Sequence, residues 1–199
     1  MFDVEGFILV GGASSRMGSD KSQLVFGGQS AVERIAAELR TLAPRTRLVG
    51  SRSTGSFQTI PDVHERWGAL GGIHSALGSC QTEWALIAAC DLPFVTSSLF
   101  TRLCQLTGEA FEAVVPIQPD GRPQPLCAIY RCDVCSRETE RLIAQGEHMP
   151  RTLLTKVRTR WVGFRELADL PGAEHFFFNV NTPKDYERAK EILRVRNRT

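Results

Sequence analysis

Phe7-Ile8-Leu9-Val10-Gly11-Gly12-Ala13-Ser14-Ser15-Arg16-Met17-Gly18-Ser19-Asp20-Lys21 is the stretch from which the fold is read. Four apolar residues run straight into paired glycines, which is the pattern of a short buried strand ended by a turn. Glycines let the backbone take positive φ and come close to a ligand. Their N–H groups can then cradle phosphate oxygens, and Arg16 and Lys21 add two positive charges suited to a polyphosphate. The loop has no G-x-x-x-x-G-K-[ST] run, so it is not a Walker A loop. Its second glycine follows the first directly, so it is not the dinucleotide fingerprint either.

Outward from this loop, short apolar runs alternate with helical patterns. Residues 31–42 carry apolar side chains on one helical face, with Ser30 and Glu33 spaced as a capping box. Residues 48–50 read as a strand, and a helix begins at residues 72–78. Residues 84–89 (WALIAA) are apolar throughout, as in a strand buried on both faces of a parallel sheet. Helices are expected at 97–106 and 133–145, the latter stopping at Gly146. Strands are expected at 113–117, 126–130, 160–164 and 176–180. Residues 183–195 form a last helix with Thr182 as cap and Pro183 at its first position. The pattern predicts a single α/β domain over 1–199, a three-layer sandwich with helices on both faces of a mostly parallel sheet. Ligands of such sheets bind at the carboxyl ends of the strands.

The chain has 199 residues, 42% hydrophobic and 23% charged, with net charge +2. So small an excess gives no reason to expect nucleic acid or a membrane as partner. No signal peptide or spanning run is visible, and the default location is cytoplasmic. The cysteines at 80, 90, 104, 127, 132 and 135 read as small buried hydrophobes. Cys132 and Cys135 open the helix that follows rather than form half of a zinc set. His64, His74, His148 and His175 show no ligand spacing and read as structural or exposed.

Asp91 follows the apolar run 84–89 and should emerge at the strand's carboxyl end beside the glycine loop. A lone carboxylate there suits Mg²⁺, which takes few protein oxygens and completes its shell with water and phosphate. Asn179 and Asn181 alternate on the expected strand 176–180 and its continuation, so both amides could face one site.

The stretch Leu9-Val10-Gly11-Gly12-x-Ser14-x-Arg16-Met17-Gly18-x-Asp20-Lys21 resembles the signature of the molybdenum cofactor guanylyltransferases (MobA), which have a Rossmann-like nucleotidyltransferase fold. Pro61-Asp62, residues 68–73 (GALGGI), residues 90–94 (CDLPF), residues 122–126 (RPQPL) and residues 179–183 (NVNTP) match in order. The resemblance runs from about residue 6 to residue 195. It implies transfer of GMP from GTP to the phosphate of molybdopterin, releasing pyrophosphate. It implies Lys21 as the principal catalytic cation, Arg16 on the β or γ phosphate, and Asp91 on Mg²⁺. Leu9, Val10, Gly11, Gly12 and Asp62 would bind the nucleotide. Arg122, Gln124, Asn179 and Asn181 would serve the acceptor. Molybdopterin-transfer proteins and a recipient molybdoenzyme are further implied partners. The family often has a nucleotide-contacting asparagine where this chain has Gly50, followed by Ser51. Two rivals stand beside this reading: a cytidylyl- or sugar-phosphate nucleotidyltransferase of the same fold, and a non-catalytic GTP-binding adaptor for a molybdoenzyme.

Overall fold

The computed structural model describes residues 3–11, 24–50, 57–64 and 67–196. Its strands are β1 (Val4–Leu9), β2 (Val25–Phe26), β3 (Gln29–Ser30), β4 (Thr46–Val49), β5 (Thr59–Ile60), β6 (Trp84–Ala89), β7 (Ala113–Pro116), β8 (Cys127–Arg131) and β9 (Thr159–Val162). Its helices are α1 (Ala31–Arg40), α2 (Gly68–Ser79), α3 (Ser97–Gln105), α4 (Cys132–Ala144), α5 (Pro150–Lys156) and α6 (Pro183–Arg196). Seven strands form one sheet in the order β5-β4-β1-β6-β8-β7-β9, and β2 pairs with β3 as a small hairpin. Within the sheet β8 alone runs against the others. The register pairs Leu9 with both Val49 and Ala89, so β1, β4 and β6 end at one level.

The central strands are apolar on both faces because both are covered, as a parallel sheet requires. Ile8, Leu86 and Ala88 face a core built with Val32 and Ile35 of α1 and with Leu99 and Phe100 of α3. Phe7, Leu9, Ala85 and Ile87 face the other core, with Leu70 and Ile73 of α2, Leu142 of α4 and Leu153 of α5. This is the expected α/β three-layer sandwich. A third cluster of Phe26, Phe94, Val180, Ala189 and Leu193 ties the β2–β3 hairpin and α6 to the loop after β6.

Local signals account for the helix ends. Glu33 accepts from the N–H of Ser30 at 2.7 Å while the Ser30 hydroxyl accepts from the N–H of Glu33 at 3.2 Å, closing the capping box. Thr182 and Asp185 exchange the same pair of bonds at the start of α6. Gly146, at φ +79°, stops α4. Cys132 does open α4, and Cys135 three positions on is buried with its thiol donating to the Glu112 carbonyl at 3.2 Å. Burial pushes the Cys104, Cys127 and Cys135 thiols up to about 12, so they pack as hydrophobes.

Two expectations are corrected. Residues 176–180 are not a strand. A 3-10 turn at Ala173–His175 leads into an irregular run in which Phe176 and Phe177 are both buried, so the alternation of a strand is absent. Residues 164–166 likewise leave β9 as a 3-10 turn, with Glu166 accepting from Gly163 N–H. The sequence reading also passed over α5, a helix of seven residues with only Leu153 and Leu154 fully inside.

Candidate active site

One edge of the sheet gathers the groups singled out from the sequence. β1, β4, β5, β6 and β7 all end there, and β8, being reversed, begins there. Gly11 follows β1, Gly50 follows β4, Asp62 follows β5 and Asp91 follows β6. The segment between β7 and β8 carries Arg122 and Gln124 and is stitched to the same edge by the bond from Ala89 N–H to Leu126 O, 2.8 Å. The N–H of Val180 donates to the carbonyl of Asp91 at 2.9 Å, which brings Asn179 and Asn181 beside the end of β6. Gly12, Arg16, Lys21 and Ser51 lie outside the described residues.

Leu9 and Val10 turn their side chains into the two cores, so what they present at the edge is backbone. Leu9 O accepts from Cys90 N–H at 3.2 Å and Val10 N–H donates to Val49 O at 2.8 Å, fixing the start of the glycine loop between β4 and β6. Gly50, at φ +140°, meets Val10 so closely that a β-carbon there would lie 2.1 Å from Val10 O. That contact leaves no room for a side chain at this position.

Asp62 is half-buried and faces the loop: a β-carbon built on Gly11 would lie 4.0 Å from its Oδ2. Its Oδ1 is shut off from solvent and has no hydrogen-bond partner among the described residues. Burial raises its carboxyl above the ordinary carboxylate value. A dry carboxylate oxygen without a donor is a place where a ligand donor would be favoured.

Asp91 is half-buried at the end of a strand with no other carboxylate in its apolar run. Asn179 donates its side-chain amide N–H to Phe177 O at 3.1 Å, so the amide oxygen is the end available to a cation or ligand. Hard oxygen donors of this kind, few in number, fit Mg²⁺ rather than a softer metal. Asn181 also serves the chain itself, its N–H donating to Asp185 Oδ2 at 3.1 Å. Gln124 is buried, with its backbone bonded to Pro116 O and Cys127 N–H, whereas the Arg122 side chain is 72% exposed and 3.4 Å from Asp120. Gly71 and Gly72 pack: a β-carbon on Gly71 would lie 2.8 Å from Trp67 Cβ, and one on Gly72 would lie 3.4 Å from Leu9 Cδ1.

His64 and His74, ten positions apart, converge with Glu140 on the α2–α4 side of the sheet. The sequence signal was too weak to find this, since Glu140 comes from a different helix.

Gly11 after β1 and a lone aspartate after the adjacent β6, at the carboxyl edge of a Rossmann-like sheet, fit the nucleotidyltransferase class. Residues 6–160 match the model of the MobA-like NTP transferase domain, and the chain belongs to that family. It is 31% identical over 192 residues to the "probable molybdenum cofactor guanylyltransferase" of Carboxydothermus hydrogenoformans, covering 95% of this chain and 96% of that one. It is 33% identical over 201 residues to the protein so described in Deinococcus radiodurans, covering 98% and 100%. Molybdopterin-guanine dinucleotide biosynthesis protein A from Archaeoglobus fulgidus superposes with a TM-score of 0.82 at 27% identity, covering 96% of this chain and 99% of that one. No helix among the described residues is long and apolar enough to cross a membrane.

Proposed function

We propose that this chain transfers GMP from GTP to the terminal phosphate of molybdopterin, giving the guanine dinucleotide cofactor and pyrophosphate. The observation that carries the reading is the meeting of Gly11, Asp62, Asp91 and the 122–124 segment at one sheet edge. Membership of the MobA-like family and relatives carrying the guanylyltransferase name support it.

The acceptor phosphate attacks the α-phosphorus of GTP; a new P–O bond forms, the bond to the β-phosphate oxygen breaks, and pyrophosphate leaves with the electron pair. Phosphate monoester oxygens are ionised at neutral pH, so the reaction needs no strong general base. What the protein supplies is position and charge. Backbone N–H groups of Gly11 and Gly12 hold phosphate oxygens, and Arg16 and Lys21 neutralise the charge that builds on the leaving group. Asp91, with the Asn179 amide oxygen alongside, is the place for Mg²⁺, which supplies positive charge to the phosphate oxygens when bound. Asp62 accepts from the N1–H and 2-amino donors of guanine, satisfying its orphaned oxygen; adenine offers no such edge. Gln124 and Arg122 receive the pterin and its phosphate, and Asn181 completes the acceptor side. The cell's molybdopterin-transfer proteins and recipient molybdoenzymes would deliver and collect the cofactor, which is consistent with a cytoplasmic enzyme.

The test is incubation with Mg²⁺, molybdopterin and each of GTP, CTP, ATP and UTP, with product mass and pyrophosphate recorded. A GMP adduct with GTP alone is expected. A CMP adduct would assign a cytidylyltransferase instead, and GTP binding with no pyrophosphate released from any acceptor would leave a binding adaptor.

A further inference from the structure

His64 lies in the turn after β5, His74 on α2 and Glu140 on α4. His74 Nε2 is 2.5 Å from Glu140 Oε2, and His64 Nε2 is 3.8 Å from the same oxygen, too far for a hydrogen bond. The two imidazole rings stand 4.9 Å apart. One donor atom from each of the three residues falls within a sphere where no pair is more than 4.8 Å apart. His64 Nε2 and His74 Nδ1 are both shut off from solvent without a hydrogen-bond partner among the described residues. A buried polar group left unpaired costs about 1–3 kcal/mol, and the His64 nitrogen is the one of the two that lies towards the shared Glu140 oxygen, where a cation could accept its lone pair.

We propose that His64, His74 and Glu140 bind a divalent transition-metal ion of the zinc class, separate from the Mg²⁺ expected at Asp91. Two imidazoles and one carboxylate are a donor set that zinc takes with a further position left to water. Zinc–ligand bonds of about 2.0–2.2 Å put the donors of one tetrahedral shell roughly 3.3 Å apart. The observed separations straddle that value, so rotamer adjustment at the exposed Glu140 side chain, 62% accessible, closes the set. Nitrogen donors select against Mg²⁺, which favours oxygen. The ion would clamp His64, just past β5, onto α2 and α4. His64 already sits close to α2, with the site of a Gly71 β-carbon 3.2 Å from His64 O. Trp67 donates its indole N–H to Glu147 O at 2.7 Å and stacks on His148, closing the flank of the site. The clamp also sets the position of Asp62, two residues before His64; that consequence rests on the guanine reading, whereas the metal site does not.

The experiment is calorimetric titration of the chelator-stripped full chain with Zn²⁺, paired with Co²⁺ absorption spectra and thermal denaturation. One equivalent is expected to bind at micromolar or tighter Kd. The Co²⁺ complex should show d–d bands without the thiolate charge-transfer band that cysteine ligation would give, and Zn²⁺ should raise Tm. The exposed Glu140→Gln keeps the fold and should weaken binding at least tenfold; His64→Ala with His74→Ala should abolish it. Asp91→Ala should bind Zn²⁺ as the wild type does, so loss of GMP transfer and loss of zinc are read separately. Absence of stoichiometric binding overturns the site, as does equal affinity in Glu140→Gln or in the double histidine variant.

Discussion

The backbone N–H of Val180 donates to the carbonyl of Asp91 at 2.9 Å. This one bond fastens the run before α6 to the end of β6 without a strand pairing. It holds the Asn179 amide oxygen and the Asp91 carboxyl on the same edge while both belong to loops. Because the tether is main chain, it survives side-chain replacement at either residue. Asp91→Ala should therefore leave the protein folded, with a cooperative melt. It should lower pyrophosphate release with GTP and molybdopterin by about 10²–10³. Steady-state turnover together with a thermal melt checks both halves; wild-type turnover would remove Asp91 from the chemistry.

Asp62 makes a prediction with opposite signs for stability and function. Burial lifts its carboxyl above the ordinary aspartate value of 3.8 in the folded state, so the unfolded chain is the stronger acid. Between 3.8 and the raised folded value the native state holds more protons, and stability falls as pH rises through that window. Above it the penalty is fully present. Asp62→Asn removes the charge, so it should melt higher than wild type at pH 7, with the gap closing below pH 3.8. GTP affinity should fall by about tenfold to a hundredfold, the loss of about 1.5–3 kcal/mol for a hydrogen bond to a charged acceptor. Melts from pH 3 to 8 and calorimetry with GTP measure the two effects, and a variant less stable than wild type at pH 7 would contradict the burial argument.

How much of this was legible beforehand follows from the range of the forces involved. Ser30 with Glu33 and Thr182 with Pro183 act within one helical turn, and the helix starts they imply are found where expected. The 84–89 run is buried from end to end, so a strand carrying Asp91 past its end could be read directly. Residues 176–178 misled because three phenylalanines satisfy a strand pattern as well as they satisfy a turn with Phe176 and Phe177 both inside. The meeting of His64, His74 and Glu140 depends on α2 packing against α4, which no local spacing encodes. The edge charges Glu5, Arg45 and Arg47 were invisible for the same reason, their partners lying some forty positions apart.

That charge cluster predicts a stability effect remote from the candidate site. Glu5 is 1% exposed on β1. Its oxygens accept from Arg45 Nη1 at 2.9 Å, Arg47 Nη2 at 2.8 Å and Gln81 N–H at 3.0 Å. Burial alone would raise its carboxyl, but the Gln81, Arg45 and Arg47 partners outweigh it and hold the group below 4.5. A depressed folded value means the contribution to stability is present above 4.5 and is lost as pH falls through the folded value. Glu5→Gln leaves buried Arg47 without its counter-charge, a loss of about 3–5 kcal/mol. For a chain of this size that is roughly 6–20 °C in Tm. The difference between wild type and variant should shrink in acid, which distinguishes a lost charge from a lost shape. A Tm difference that stays constant from pH 7 to pH 3 would refute the electrostatic account.

Gly50 provides the sharpest link between backbone and site. Its φ of +140° is strained for a residue with a side chain, and the β-carbon would sit 2.1 Å from Val10 O, inside any permitted contact. Gly50→Ala must push β4 and β1 apart where Val10 leads into the glycine loop, because Val10 N–H is bonded to Val49 O at 2.8 Å. The backbone strain alone is worth about 1–3 kcal/mol, so Tm should drop by at least about 2 °C. Since Val10 leads directly into Gly11, whose amide is proposed to hold a phosphate oxygen, the KM for GTP should rise even at temperatures where the variant is fully folded. Gly78→Ala is the matched control: Gly78 is an exposed position inside α2 with nothing within 4 Å of its β-carbon. There alanine should stabilise by about 0.5–1 kcal/mol and leave the KM for GTP unchanged. Melts and GTP titrations on the pair test whether the contact between Val10 and Gly50 sets the phosphate loop, and an unaltered KM in Gly50→Ala would show that the loop is positioned by other contacts.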